Sequence, residues 1–575
     1  MTEPANPLIV QSDLTVLLET ASPAAGEARA ALARFAELER APEHVHTYRI
    51  TPLSLWNAAV AGLAVDEVVD TVRRFAKYDV ADAVLTEIQD QMGRYGRLRL
   101  VRDHDTAALA LTTAEPPLLE EVARDRAVAE LLGERLDGNR YAVALGDRGA
   151  LKQALLRLGW PASDEAGFDE GEALEGVALA VELRPYQAEA LAAWWAGGSP
   201  AGGSGVLALP CGSGKTVIGL GALATSAART LVVCTSTSAA KQWVSEALAK
   251  TTLTEDRIGL WSGPRRQLRD VTVVTYQMLT WRDPDAGDEA ELMVRHPNLA
   301  LFDEAGWGLV VYDEVHLLPA PVFRATARIQ AVRRLGLTAT LVREDGREGD
   351  VFSLIGPKRF DAPWRDMEAQ GWIAPANCRE VRVTLTDEER MAYALAEPDD
   401  RYRVGSTARS KLAVVEALCR AAVAAGEPTL VIGQYLDQLD EVAARLGAPV
   451  ITGKTPVAER QRLYEAFRRR EVAVLVVSKV ANFSIDLPEA SVAVQVSGTF
   501  GSRQEEAQRL GRVLRPKADG RTAHFFAVVS RDTNDQDFAA RRQRFLAEQG
   551  YSYEIIDAEA ALAPGAPGLG IGAGD

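Results

Sequence analysis

Apolar residues recur along this chain in two tandem blocks of short, nearly continuous runs. The first block holds runs at 231–234, 271–275, 309–313 and 335–340, and the second holds runs at 429–433, 450–453, 472–478, 492–497 and 524–529. Helix-length segments separate them. Runs this short and apolar predict strands buried on both faces, and their alternation with helices predicts parallel sheets. Residues 205–210 read as a further strand and 217–224 as the helix that follows it. The expected fold class is α/β, with two parallel-sheet domains at about 176–375 and 376–560. The last residues, 561–575, are rich in Ala, Gly and Pro and predict a flexible tail.

Before residue 176 the periodicity differs. Thr51-Pro52 offers an N-cap and a first-turn proline, and helical patterns follow at 53–61, 65–76 and 80–95. Segments 97–101 and 107–111, on either side of a polar turn at 103–105, predict a hairpin. Three helices and a hairpin at about 50–112 suggest a winged-helix-like unit, able to bind DNA or another protein. A strand at 139–145 and a helix at 147–158 come next, and the acidic, glycine-containing stretch 162–175 reads as a linker. An N-terminal α+β accessory region is therefore expected over 1–175.

Composition narrows the classes. With 575 residues, 47% of them hydrophobic, there is material for three or four domains. No run of eighteen apolar residues occurs and the N-terminus lacks a signal-peptide pattern, so a cytoplasmic protein without membrane attachment is expected. Cys211, Cys234, Cys378 and Cys419 are widely spaced, which argues against zinc, iron–sulfur and disulfide scaffolds. A net charge of −16 is unusual for a nucleic-acid binder, yet Arg265-Arg266, Arg333-Arg334, Arg468-Arg469-Arg470 and Arg541-Arg542 suggest a basic channel in an acidic exterior.

The candidate chemistry begins at Leu209-Pro210-Cys211-Gly212-Ser213-Gly214-Lys215-Thr216. Gly212 and Gly214 let backbone N–H groups close around a phosphate, Lys215 brings positive charge to the β- and γ-phosphates, and the Thr216 hydroxyl suits Mg²⁺. The strand–loop–helix order places a helix N-terminus at the phosphates. Asp313, ending an apolar run, is placed to hold Mg²⁺ with Thr216, and Glu314 to orient and deprotonate an attacking water. His316 completes an Asp-Glu-Val-His box that suits a switch between nucleotide and DNA. The rival pair Asp303-Glu304 reads as surface acid. Gly453-Lys454-Thr455 lacks a preceding glycine loop and reads as a strand-end loop. Two such domains suggest a paired RecA-like motor with ATP between them. In the second, Gln508, Arg512 and Arg515 fall in a Gln-Arg-x-Gly-Arg-x-x-Arg spacing; on a helix the two arginines share a face and suit a finger onto the γ-phosphate.

Taken together these motifs resemble the XPB family of superfamily 2 helicases, particularly its bacterial members. The resemblance rests on Leu183-Arg184-Pro185-Tyr186-Gln187, the phosphate loop, Thr275-Tyr276-Gln277-Met278, Asp313 to His316, Leu337-Thr338-Ala339-Thr340, Arg343-Glu344-Asp345, 478–488 and 508–515, in preserved order over about 181–545. The first glycine of the general phosphate-loop pattern falls at Leu209, a departure common in that superfamily. The resemblance implies adenine recognition near Arg184 and Gln187, and coupling of hydrolysis to motion through Thr338 and Thr340. It implies DNA-backbone contacts from Thr235, Ser236, Thr237, Ser238, Thr275, Ser478 and Lys479, and duplex separation by Arg343-Glu344-Asp345. It also implies a thumb-like insertion at about 384–407, unless that segment is only a connecting helical hairpin, and a damage-recognition-like part at about 139–161. The resulting expectation is an ATP- and Mg²⁺-dependent 3′-to-5′ DNA helicase or duplex translocase of DNA repair, acting in the cytoplasm on the nucleoid. The alternatives are a DNA-stimulated ATPase scaffold that recruits a nuclease, another repair protein or a transcription complex, and an RNA helicase.

Overall fold

The computed structural model describes residues 6–40, 44–103, 109–210, 212–263, 266–287, 292–303, 306–329, 332–339, 348–362, 367, 370–372, 376–478, 490–498, 522–540 and 552–562. The chain divides into two compact units, one of residues 1–209 and 214–362, the other of 210–213 and 363–575.

The first unit opens with an antiparallel sheet that local periodicity did not predict. Its strands run in the order Leu8–Val10, Thr15–Glu19, Val45–Arg49, Glu37–Arg40. The helices Pro52–Val60, Val65–Phe75 and Asp82–Arg94 follow, close to the predicted spans. Thr51 caps the first as expected: its Oγ1 accepts from Ser54 N–H at 3.0 Å, and Ser54 Oγ accepts from Thr51 N–H at 3.0 Å. Strands and helices share one core through Leu8, Val16, Leu18, Tyr48, Leu55, Val68, Val72 and Ile88. The hairpin Leu98–Arg102 with Leu109–Thr113 belongs to a second core. It sits in a mixed five-stranded sheet with Arg140–Val143 and Arg135–Asp137 on one side and Ser163–Asp164, parallel, on the other. Thus the three helices and the hairpin that suggested a winged helix stand in separate hydrophobic cores.

The stretch read as a linker is instead a packed strap. Asp164 accepts from Arg148 Nε at 3.0 Å, from Arg148 Nη2 at 2.6 Å and from Lys152 Nζ at 2.9 Å. The Phe168 ring lies under the guanidinium groups of Arg148, Arg333 and Arg334 at 5.0, 5.7 and 5.3 Å. Acidic residues beside glycines mimic a linker only when their partners, distant in sequence, are unknown. The same contacts correct the expectation that Arg333-Arg334 lines a basic channel, because Arg334 is fully buried and its Nη2 donates to Ser204 Oγ at 3.1 Å. Burial alone would raise the Asp164 pKa, but the charges of Lys152 and Arg148 overcome it and hold the carboxyl well below its usual range. Its stabilisation is present above the ordinary carboxylate pKa of about 4 and is lost only as pH falls through the lowered folded value. Asp164→Asn is therefore expected to destabilise the first unit by about 3–5 kcal/mol near pH 7, the cost of breaking a buried pair. The penalty should fade in strong acid. Melting curves of the two proteins at pH 7 and in acid check this, and superimposable curves at pH 7 would contradict it.

Beyond the strap, seven parallel strands form the first motor sheet in the order Ile258–Trp261, Val271–Thr275, Thr230–Cys234, Leu309–Asp313, Arg333–Thr338, Ser204–Ala208, Lys358–Asp361. All-parallel pairing puts every strand's C-terminal end on one edge, where α/β sheets bind ligands. The second unit holds another all-parallel sheet, Val450–Ile451, Val474–Ser478, Thr429–Gly433, Val492–Gln495, Ala523–Ser530, Ala376–Val383, Ser552–Asp557. The α/β class expected from the periodicity is what both units show. Between 384 and 407 lie two helices, Asp387–Leu395 and Arg401–Ser406, the second fastened by Tyr402 OH donating to Gly498 O at 2.7 Å. Gly453-Lys454-Thr455 is a loop: Thr452 N–H donates to Thr455 Oγ1 at 2.9 Å ahead of the helix Val457–Arg468.

Candidate nucleotide site

Sequence dictates the site through four strand ends. The strand Ser204–Ala208 leads into the phosphate loop, and the helix Lys215–Ser226 leaves it. Gly212 and Gly214 take φ of +83° and +78°, the left-handed region that glycine tolerates best. A Cβ on Gly214 would also stand 2.7 Å from Gln187 Nε2, so the amide can approach only a bare backbone. Leu209, where the general pattern has glycine, is fully buried, and its N–H donates to Thr338 O at 2.9 Å. That position is an apolar anchor here. Ser213 is buried, and Pro210 precedes it in the loop; Cys211 lies outside the described residues.

Lys215 and Glu314 meet at this edge. Lys215 Nζ donates to Glu314 Oε1 at 2.9 Å, with both side chains nearly buried. Glu314 adopts φ 51° and ψ 55°, a left-handed conformation uncommon outside glycine and asparagine. That geometry turns its side chain toward Lys215 directly after the strand Leu309–Asp313. Burial pushes the Glu314 pKa up, but the Lys215 charge and then His316 outweigh burial and leave it below the usual value. Asp313, half-buried at the strand end, is pushed up by desolvation and then by the neighbouring Glu314 charge. His316 Nδ1 lies 2.7 Å from Thr338 Oγ1 and 3.5 Å from Glu314 Oε2, so the box reaches the neighbouring strand through one imidazole.

Arg184 and Gln187 open the helix Pro185–Trp195, where Arg184 N–H donates to Gln187 Oε1 at 3.0 Å. Thr235, Ser236, Thr237 and Ser238 follow the strand Thr230–Cys234, and Ser236 Oγ accepts from Ala239 N–H at 3.2 Å. Thr275 Oγ1 likewise accepts from Met278 N–H at 3.1 Å. A hydroxyl used as a cap acceptor keeps its proton to donate, so these groups remain suited to a phosphate. Ser478, in the second unit, ends the strand Val474–Ser478 with a buried Oγ. Thr340, Arg343, Glu344, Asp345, Lys479, Gln508, Arg512 and Arg515 lie outside the described residues. Asp303 caps the 3₁₀ segment Pro297–Phe302 and is exposed, as a surface acid should be.

One side chain at the site, Trp243, escaped the sequence reading, and a second, Tyr276, entered it only as part of the Thr275 to Met278 motif. Trp243 Nε1 donates to Asp313 Oδ2 at 3.0 Å, and Tyr276 OH donates to Asp313 O at 3.1 Å. A signal existed for the first: Ala240, Trp243 and Ala247 mark a buried face, and Gly219 inside the phosphate-loop helix signals a close approach.

The arrangement suits a nucleoside triphosphate. Glycine N–H groups sit at a helix N-terminus, and the lysine charge is held by a carboxylate it can exchange for phosphate. The carboxylate and hydroxyl donors, Asp313 and Thr216, are the oxygen ligands that Mg²⁺ favours.

Known proteins align with nearly all of this chain. Residues 367–564 match the family described as ERCC3/RAD25/XPB C-terminal helicase, residues 180–343 the type III restriction enzyme res subunit, and residues 8–137 a helicase conserved C-terminal domain. A Kineococcus radiotolerans protein named DNA 3'-5' helicase XPB is 61% identical over 556 residues, covering 96% of this chain and 97% of that protein. A Mycobacterium tuberculosis protein of the same name is 59% identical over 561 residues, covering 97% and 99%. The Saccharomyces cerevisiae general transcription and DNA repair factor IIH helicase/translocase subunit XPB/SSL2 is 30% identical over 618 residues, covering 95% of this chain and 72% of that one. With the phosphate loop, the Asp-Glu-Val-His box and paired parallel sheets in place, the chain belongs to the XPB-type superfamily 2 DNA helicases, a family that uses ATP.

Proposed function

We propose that this protein is an ATP-dependent 3′-to-5′ DNA helicase or duplex translocase of DNA repair. The Lys215–Glu314 pair carries the reading: the two side chains meet at the C-terminal edge of the sheet, and such a pair suits a phosphate-binding cation beside a water-activating carboxylate. Lys215 leaves Glu314 for the phosphates when nucleotide arrives, which frees the carboxylate to take a proton from water. Thr216 and Asp313 hold Mg²⁺, which when bound neutralises phosphate charge. Arg184 and Gln187 recognise the adenine edge. Gln508, Arg512 and Arg515 complete the site from the second motor domain. Thr338 and Thr340, with His316, pass the nucleotide state to DNA contacts at Thr235, Thr275, Ser478 and Lys479.

The domain assignment is part of the same proposal: accessory region 1–175, motor domains 176–375 and 376–560, thumb-like insertion 384–407, tail 561–575. Replacing Arg343, Glu344 and Asp345 together by alanine should spare most ATPase and depress strand displacement severalfold. Equal loss of both would assign them a structural role. Arg512→Ala should lower turnover much more than nucleotide affinity, since its charge matters once the transition state forms; steady-state kinetics with equilibrium binding check it.

A second reading, a DNA-stimulated ATPase that recruits a nuclease, another repair protein or a transcription complex, draws on the accessory region. Residues 1–175 carry 30 Asp and Glu against 18 Lys and Arg. Fourteen of those cations are ion-paired to carboxylates among the described residues, Arg97–Glu115 and Arg102–Asp169 among them. Cations so neutralised release few DNA counterions, which favours protein contact over phosphate contact for this region. Among the described residues no helix is long and apolar enough to cross a membrane; the cytoplasm, on the nucleoid, is the proposed location. Strand displacement assayed beside DNA-stimulated ATPase separates the two readings, since the scaffold predicts stimulation without displacement.

A further inference from the structure

Asp313 is held by an indole. Trp243, buried on the helix Thr237–Lys250, donates its Nε1–H to Asp313 Oδ2 at 3.0 Å. A buried tryptophan needs an acceptor for its N–H, but a backbone carbonyl would serve; a carboxylate makes the bond stronger and fixes the acceptor's rotamer. The route to that carboxylate has been kept open. On Gly219, in the helix that leaves the phosphate loop, a Cβ would stand 2.4 Å from Trp243 Cη2 and 3.2 Å from Cζ3. The bare glycine lets the ring lie against the phosphate-loop helix and reach the strand end. Tyr276 OH fixes the same residue from its backbone side, donating to Asp313 O at 3.1 Å. Asp313 is thus clamped at carbonyl and carboxylate by two aromatic residues on elements that follow neighbouring strands.

We propose that Trp243 is a positioning residue for the cation-holding carboxylate. Its N–H occupies one lone pair of Oδ2, favours Oδ1 as the oxygen offered to Mg²⁺, and ties Asp313 to the helix that Ser236 caps and whose first turn carries Ser238. The proposal rests on the assignment of Asp313 to Mg²⁺, and the test separates the two. Trp243→Phe keeps an aromatic ring, smaller than the indole, and deletes the donor. With a fluorescent ADP analogue as probe, affinity is measured in EDTA and across a Mg²⁺ titration, with melting temperature recorded alongside. Trp243→Phe should melt near the parent and bind ADP equally in EDTA, while the Mg²⁺ midpoint rises about tenfold, the usual size for loss of an outer-shell partner. A purely structural indole would leave that midpoint unmoved once the protein is folded. If Asp313→Asn abolishes the Mg²⁺ effect and Trp243→Phe titrates as the parent, the positioning role is overturned and the Mg²⁺ assignment stands. If Mg²⁺ adds nothing to ADP affinity in the parent protein, both fall. Should Trp243→Phe melt early, the parent labelled with 5-fluorotryptophan decides: the fluorine resonance that shifts in Asp313→Asn must also move on Mg²⁺ addition, and a resonance indifferent to Mg²⁺ overturns the proposal.

Discussion

Lys215→Ala abolishes ATP hydrolysis and strand separation together. The side chain does two things at once. Its ammonium is the charge available to the β- and γ-phosphates, and at 2.9 Å it is also the cation that keeps buried Glu314 ionised. Without it the phosphates lose their counter-charge. In the nucleotide-free site burial then pushes the Glu314 pKa up against less opposition, with His316 still beside it. Loss of a single preorganised charge at such a site costs about 10²–10³ in turnover. Turnover under saturating ATP and DNA measures the effect. Parent-like turnover in Lys215→Ala would remove the motor assignment.

Glu314→Gln separates binding from chemistry. The amide keeps shape and volume but cannot take a proton, so hydrolysis should fall by about 10²–10⁴. Nucleotide binding should survive or tighten, because Lys215 no longer has a carboxylate competing with the phosphates for its charge. A single-turnover assay beside equilibrium ADP and ATP binding reads both. Loss of binding as well would mean that this glutamate holds the site together. Asp303→Asn, at an exposed position, should leave hydrolysis intact and serves as the control.

These effects were legible in the sequence because the site is built from local segments. A phosphate loop needs its glycines, lysine and threonine consecutively, and Asp313-Glu314 must terminate an apolar strand. The parallel sheets were legible for a related reason: strands buried on both faces leave unbroken apolar runs. What escaped depends on contacts distant in sequence. The first sheet pairs Thr15–Glu19, largely buried, with Val45–Arg49, mostly half-buried, through short strands that leave little periodicity. Lys358–Asp361 and Ser552–Asp557 are edge strands with polar residues and offer no continuous apolar run to signal them. Asp164 looked like linker acid because its partners Arg148 and Lys152 sit on a helix whose facing could not be known in advance. Trp243 went unnoticed because nothing in its own segment names Asp313 as its acceptor.

The most direct test of the central claim is ATP hydrolysis with single-stranded DNA, duplex DNA and RNA side by side, coupled to strand displacement on partial duplexes with a 3′ or a 5′ single-stranded tail. The prediction is stimulation by DNA above RNA and displacement of the 3′-tailed substrate alone. Equal stimulation by RNA, displacement from the 5′ tail, or DNA-stimulated hydrolysis without displacement would contradict it.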